Sequence, residues 1–218
     1  MKRLFYFLPF LLLNIASTCA QNLTVGTAGM PLREVKSPTG KDSPYFNSEF
    51  VQSKVTASNH KGITLGALRY NMLNQQVEYL NKDIVYEVQD SLSSFTVTDS
   101  TGKSHLFEKM SVNGASGFFE VLLSGKLGLL KHYSAAQRSA EDWYTKKKVL
   151  SVVRTTDYYV LKDGKTERFT PSKKTVLEIM SDKAKDVKSY LNNNAPDFKN
   201  DESLKELFEY YNSLSEKA

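Results

Sequence analysis

The chain has 218 residues, with 29 Lys and Arg against 24 Asp and Glu, three His, one Cys and a formal net charge of +5. This mild excess is spread along the sequence, which excludes the concentrated basic field of a nucleic-acid binder. The one cysteine is Cys19, so no internal disulfide framework or cysteine-rich metal site is expected, and a hydrophobic core has to hold the fold.

Residues 1–20 have the order of a secretory signal peptide. Lys2 and Arg3 give a positive start, an apolar run extends from Leu4 to Ile15, and Thr18-Cys19-Ala20 puts small side chains before Gln21. Pro9 and Asn14 interrupt the run, and it falls short of the ~20 residues a membrane-spanning helix needs. The expectation is an exported protein, periplasmic or extracellular, whose mature chain begins near Gln21. Cys19 permits a second reading, as the lipid-modified cysteine of a bacterial envelope lipoprotein. The preceding Ile15-Ala16-Ser17-Thr18 departs from the leucine and small-residue pattern that such anchors use.

Residues 21–48 are rich in chain breakers, with Gly26, Gly29, Pro31, Pro38, Gly40 and Pro44, and lack an apolar period. They read as an extended, loop-rich lead-in.

Residues 49–170 change to short β-branched and aromatic runs punctuated by turns. Phe50 to Ala57 and Ile63 to Met72 flank Ser58-Asn59-His60-Lys61-Gly62, and Leu68, Tyr70 and Met72 alternate with Arg69 and Asn71. Val77 to Leu80 and Ile84 to Val88 are joined by a compact turn. Phe95 and Val97 alternate with threonines before a turn toward Leu106 and Phe107. Phe118 to Leu123 and Leu127 to Tyr133 meet at Ser124-Gly125. Tyr158 to Leu161 and Thr166 to Phe169 flank Asp163-Gly164, the signature of a two-residue turn with positive φ at both central positions. Roughly ten strands with connections this short are antiparallel neighbours, and a meander of about ten strands has to curl. Two stretches interrupt the pattern. Residues 112–117 read as a flexible, glycine-bearing connection, and residues 134–143 as a helical turn or loop with Trp143 packed as a lid on the core.

Residues 171–218 switch to a period of about 3.6. Val176, Leu177 and Met180 share a face, as do Ala184, Val187 and Leu191, and Leu204, Leu207, Phe208, Tyr211 and Leu214 form the longest stripe. Asp182 and Asn200 stand where N-caps belong. The predicted fold class is α+β, mainly β: a rolled antiparallel meander, an incomplete barrel or curved sheet, with C-terminal amphipathic helices packed on it.

Ser43-Pro44-Tyr45-Phe46-Asn47-Ser48-Glu49-Phe50-Val51, Leu68-Arg69-Tyr70-Asn71 with Gln76-Val77-Glu78-Tyr79, and Glu209-Tyr210-Tyr211-Asn212-Ser213-Leu214 resemble segments of small exported proteins of Bacteroidota. The resemblance spans most of the mature chain. It implies a cell-envelope location and brings no reaction and no site residues.

No residue pattern in the sequence assigns a catalytic, cofactor-binding or metal-ligating residue. His60, His105 and His132 are the three histidines, and no two have ligand spacing. Gly114-Ala115-Ser116-Gly117 lacks the spacing of a nucleophile elbow, and no glycine-rich loop ends in Lys-Ser or Lys-Thr. Glu49, Glu78, Glu87, Glu120 and Asp157 lie on or beside strands and are expected on the solvent face. Lys146-Lys147-Lys148 reads as a solvated strand edge. Adjacent aromatic pairs such as Phe118-Phe119 and Tyr158-Tyr159 place rings on opposite faces wherever they fall on strands. A small outer-membrane barrel is disfavoured by Arg69, Glu78, Glu87 and Arg154 on strands and by the helical tail.

The leading expectation is therefore a non-catalytic binding or scaffold module of the cell envelope. Its candidate partners are an envelope protein, a glycan or an apolar ligand, with neither nucleic acid nor integral membrane insertion. The alternative is a secreted hydrolase with a site at strand ends and the 134–143 loop.

Overall fold

The structure, a computed structural model, describes residues 43–57, 62–81, 83–88, 92–99, 101–141 and 143–216. The signal-like segment with Cys19, the lead-in before Ser43, and His60 lie outside the described residues.

Among the described residues, ten strands form a single antiparallel sheet: β1 (Val51–Ala57), β2 (Gly62–Asn71), β3 (Gln76–Asn81), β4 (Ile84–Glu87), β5 (Leu92–Thr98), β6 (Ser104–Val112), β7 (Ala115–Leu123), β8 (Leu127–Glu141), β9 (Lys148–Lys162) and β10 (Lys165–Phe169). Their spatial order is β10-β9-β8-β7-β6-β5-β1-β2-β3-β4. Two turns are chemically specified. Asp163-Gly164 (φ 50° and 74°) closes the β9–β10 hairpin, and Asn113-Gly114 (φ 52° and 83°) closes β6–β7. The segment 112–117, predicted as a flexible interruption, is thus a tight hairpin with Val112 opposite Ala115.

The strand order forces curvature. In a flat sheet β5 and β4 would stand four strand spacings apart, about 19 Å. Glu87 and Leu92 are five Cα steps apart in sequence, at most about 18 Å. Pairing each strand antiparallel to its neighbours also gives β4 and β5 the same direction, which adds an axial offset. The sheet therefore rolls, as predicted, and it stays open with β10 and β4 at its two edges, but the short β4–β5 connection, expected to join antiparallel neighbours, instead links two strands that are not paired.

The lead-in ends later in sequence than in structure. Residues 43–47 extend the pairing of β2 where β1 stops. The Phe46 amide donates to Tyr70, the Met72 amide to Pro44, Tyr45 bridges Asn71, and the Asn47 side chain bonds both Leu68 and Tyr70. These bonds satisfy the edge of β2, which would otherwise be open.

Two hydrophobic clusters fill the roll. Leu68, Tyr70, Phe95, Val97, Phe107 and Phe118 form the first, with the Phe95 and Phe107 rings stacked at 4.9 Å. The second lies under three helices, α1 (Lys173–Ile179), α2 (Ala184–Asn194) and α3 (Asp201–Glu216). Val176, Met180, Val187, Leu191, Leu204, Leu207, Phe208 and Tyr211 pack there on Leu127, Leu129 and Val160. Each fully buried large apolar side chain contributes about 1.5–3 kcal/mol. Ser172 and Thr175 form a reciprocal capping box at α1. Asn200 caps α3 through the Ser203 amide at 3.1 Å, as predicted. Asp182 does not cap α2. It sits in a 3-10 turn, Ser181–Lys183, where its carboxylate accepts the Tyr211 hydroxyl at 2.9 and 3.0 Å.

Residues 134–141 are neither the helical turn nor the loop expected there: β8 continues to Glu141 and pairs residue for residue with β9 as far as Lys148. Trp143 is not a lid either, since it lies in the connecting turn and is 82% exposed. The strand signal is weak in Ser134–Glu141, which lacks large apolar residues. It comes from the opposite strand, where Val149, Leu150, Val152 and Val153 favour extended backbone.

Candidate functional site

A polar network crosses the concave face between the two hydrophobic clusters. Glu120 on β7 is opposite Phe107 and Lys131, and Lys131 is opposite Tyr158, so directly paired positions carry these side chains on one face. His105 Nδ1 is 2.5 Å from Glu120 Oε1, and His105 Nε2 is 3.1 Å from Asp99 Oδ2. Tyr133 donates to Glu120 Oε2 at 2.6 Å. At the start of α3, Asp201 accepts from Lys131 and Tyr158, both at 2.6 Å. The Lys131 ammonium also lies 5.3 Å from the centroids of the Tyr133 and Tyr158 rings.

The electrostatics follow from this geometry. With a carboxylate facing each ring nitrogen, the Glu120 bond and then the Asp99 bond hold the His105 pKa above its usual value against the opposing effect of burial. Asp99 is held well below the usual carboxylate range by the Thr101 hydroxyl and then by His105. Burial, with Glu120 beside it, pushes the Tyr133 phenol up, and burial with Asp201 does the same to Tyr158. With a carboxylate oxygen on each ring nitrogen the imidazole offers no open nitrogen to a substrate, and the Asp201 bonds tie α3 to the sheet. The two carboxylates stand on opposite sides of the ring, and among the described residues no group of three or more His, Cys, Asp or Glu could hold a metal ion.

A second buried ion pair lies on β2 and β3. Arg69 Nε and Nη2 donate to Glu78 Oε2 at 3.1 and 2.7 Å, and Asn71 donates to Oε1 at 3.0 Å. The guanidinium is sandwiched between the rings of Tyr45 and Phe50, 3.7 and 4.3 Å from their centroids.

Beside the first cluster, β8 leaves the sheet. Its ladder with β7 begins at Phe119 opposite His132, and the turn carrying Gln75 (φ 56°) takes over from β7 beyond that point. Gln75 Nε2 donates to the Tyr133 carbonyl at 3.0 Å, and the Ala135 amide donates to Met72 at 3.2 Å. Arg154 Nε fixes the base of β9 to the Ser43 carbonyl at 2.8 Å. From there the β8–β9 ribbon projects alone, and all described residues from 136 to 150 are exposed. Six paired rows from Ala136 to Glu141 make an arm about 20 Å long. Trp143 and Tyr144 cap it at 82% and 79% exposure, followed along β9 by Val149 at 50% and Leu150 at 59%.

The predicted residues fall as follows. Glu49 is exposed, while Glu87 and Asp157 are half-buried, Asp157 accepting from Arg168 at 2.5 Å. Glu78 and Glu120 are not on the solvent face: each is 3% exposed, with Arg69 and Asn71 donating to the first and Tyr133 and His105 bonded to the second in place of water. His132 is half-buried against the Phe119 and Tyr159 rings, and burial lowers its pKa. Ser116 is exposed on β7 opposite Ser111. Lys146, Lys147 and Lys148 are exposed at the arm's tip. Gln75, Lys131 and Asp201 belong to no motif or period that marks them in the sequence. Strand parity did carry one signal: Glu120 shares its face with Phe118 and Leu122, and His105 with Phe107.

Two surface clefts flank these features. One of about 340 Å³ includes Gln75, Glu87, Lys109 and Phe118, and one of about 300 Å³ includes Gly125, Lys126, Glu209 and Asn212. Among the described residues no helix is long and apolar enough to cross a membrane. Fold and site together define a rolled antiparallel sheet with a helical cap and a projecting hairpin arm. No protein-family model, no curated protein and no solved structure matches the chain.

Proposed function

We propose that this is an exported protein of the cell envelope that acts as a non-catalytic binding module, with the β8–β9 arm as its binding element. The observation that carries the proposal is the exposure of Trp143, Tyr144, Val149 and Leu150 at the end of a paired ribbon anchored to the body of the sheet. Exposed large rings at the tip of such a projection have no role in the core, and apolar surface of this kind is what interaction sites present. Export is supported by the charge, apolar run and small-residue order of residues 1–20.

The His105 network supports a structural role better than a hydrolytic one. Its imidazole is bonded at both nitrogens, and residues 134–141, expected to help form a hydrolase site as a loop, are strand.

A photo-crosslinking side chain placed at Trp143, compared with one at the exposed Lys185 on α2, tests the proposal in envelope preparations. Adducts formed from position 143 and not from position 185 are expected. Equal yields from the two positions, or none from either, would overturn it.

A further inference from the structure

We infer that the tip of the arm docks on an anionic lipid surface, an inference that rests on the binding-module proposal above. Three observations favour a bilayer over a folded partner. The first is chemistry. Trp143 and Tyr144 are amphipathic rings in edge contact, with centroids 5.7 Å apart, and such rings suit the boundary between headgroups and acyl chains. Val149 and Leu150, exposed on opposite faces of β9, add apolar surface on both sides of the ribbon below them.

The second is charge. Arg138, Lys146, Lys147 and Lys148 surround this apolar tip, against Glu141 and Asp142, so the segment from 136 to 150 carries two net positive charges. Lys146 lies 3.7 Å from Glu141, and Lys148 is paired opposite Glu141 across the ribbon. Long lysine stems let the ammonium groups stay at headgroup level while the rings enter, and an anionic surface complements the remaining charge.

The third is shape and area. A stable protein interface covers about 800 Å² on each partner. Two aromatic side chains supply about 150–250 Å² each, and a convex two-stranded tip has little more to add. A bilayer surface deforms around a small projection and requires no matched area.

Trp143 is the chain's only tryptophan, so its emission reports on the tip alone. The purified protein is titrated with vesicles of equimolar phosphatidylglycerol and phosphatidylcholine, and with phosphatidylcholine alone. The expected result is a shift of Trp143 emission to shorter wavelength with the anionic vesicles only, reversed by added salt. The K146E/K147E/K148E variant should partition at least about a hundred-fold more weakly, since each lysine near such a surface is worth about five-fold. The L150S variant should retain the folded circular dichroism spectrum and also bind more weakly. The apolar run at residues 4–15 is common to all variants, so it cannot produce these differences.

Unchanged Trp143 emission with both vesicles, or equal shifts with both, would overturn the inference. If lipid gives no shift while crosslinks from position 143 land on a protein, a glycan or a second copy of the chain, the lipid partner is wrong and the binding module stands. If neither lipid nor any crosslink engages the tip, both proposals fall.

Discussion

Phe118 and Tyr133 are the residues that would pair next in the β7–β8 ladder after Phe119 and His132, and the side-chain amide of Gln75 stands between them. Gln75 Oε1 accepts the Phe118 amide at 3.4 Å while Nε2 donates to the Tyr133 carbonyl at 3.0 Å. The same oxygen accepts the Tyr70 hydroxyl at 2.7 Å. One side chain thus replaces a rung of the sheet, and β8 parts from β7 there with its backbone groups satisfied. Gly117 leaves the room, since a Cβ at that position would meet His132 Nε2 at 3.2 Å and Gln75 Oε1 at 3.4 Å.

Removing this wedge should loosen the base of the arm. Gln75→Ala leaves the Tyr133 carbonyl and the Phe118 amide without their partner, at a cost of about 2–3 kcal/mol. Denaturant unfolding measures the loss, and hydrogen exchange should quicken at Phe118 and Ala135. A variant with wild-type stability and protection would show that the two strands part for another reason.

Glu120 is the hub of the polar network, so Glu120→Ala should cost about 3 kcal/mol, the usual penalty for breaking a buried ion pair from one side. In the conservative Glu120→Gln protein the His105 imidazole loses its principal anionic partner. Its pKa, read from the ring proton resonances by NMR, should drop. An unmoved titration would mean that Asp99 alone sets the imidazole's charge.

The two described histidines make opposite contributions to stability as pH changes. His105 has a raised folded-state pKa, so its contribution is complete below the unfolded value of about 6.5 and is lost as pH rises through the folded value. His132 has a lowered one, so the unfolded chain takes up a proton first and the fold weakens as pH falls below about 6.5. The stability gap between wild type and His105→Gln should therefore narrow from pH 6 to pH 9, and the gap for His132→Gln should narrow on acidification. Parallel pH profiles for the two variants would contradict both assignments.

Asn212 fastens α3 to the sheet by accepting the Leu127 amide at 2.9 Å and donating to the Leu127 carbonyl at 3.1 Å. Asn212→Ala should cost about 2 kcal/mol, because two backbone groups lose their partner at once. Gly125→Ala should be similarly disruptive, since its Cβ would meet Asn212 Nδ2 at 2.6 Å. Thermal unfolding of the two variants and of their double mutant should show that the losses are not additive.

Substitution at the arm's tip should leave the fold alone. Trp143→Ser removes a ring that is 82% exposed, so stability should stay within about 0.5 kcal/mol of wild type. A larger loss in the melting curve would mean that the ring packs on the body in solution.

Local structure was legible in the order of residues alone. Alternation at Leu68, Tyr70 and Met72, the Asp163-Gly164 turn, and the stripe from Leu204 to Tyr211 each encode an element within a few residues, because strand and helix periods are local properties of backbone geometry. Short connections then made every consecutive pair of strands antiparallel neighbours except β4 and β5, and the number of strands required curvature. Relations between residues far apart in the chain were not legible there and emerge from the folded molecule. Glu120 and Glu78 are buried because His105, Tyr133, Arg69 and Asn71 converge on them from other strands. Gln75 is decisive because it reaches Tyr133, 58 residues away. Trp143 is exposed because β8 and β9 continue past every strand that could cover them. Burial and partnership are set by which surfaces meet, and a one-dimensional pattern of apolar and polar residues carries the propensity of each segment but not its neighbours.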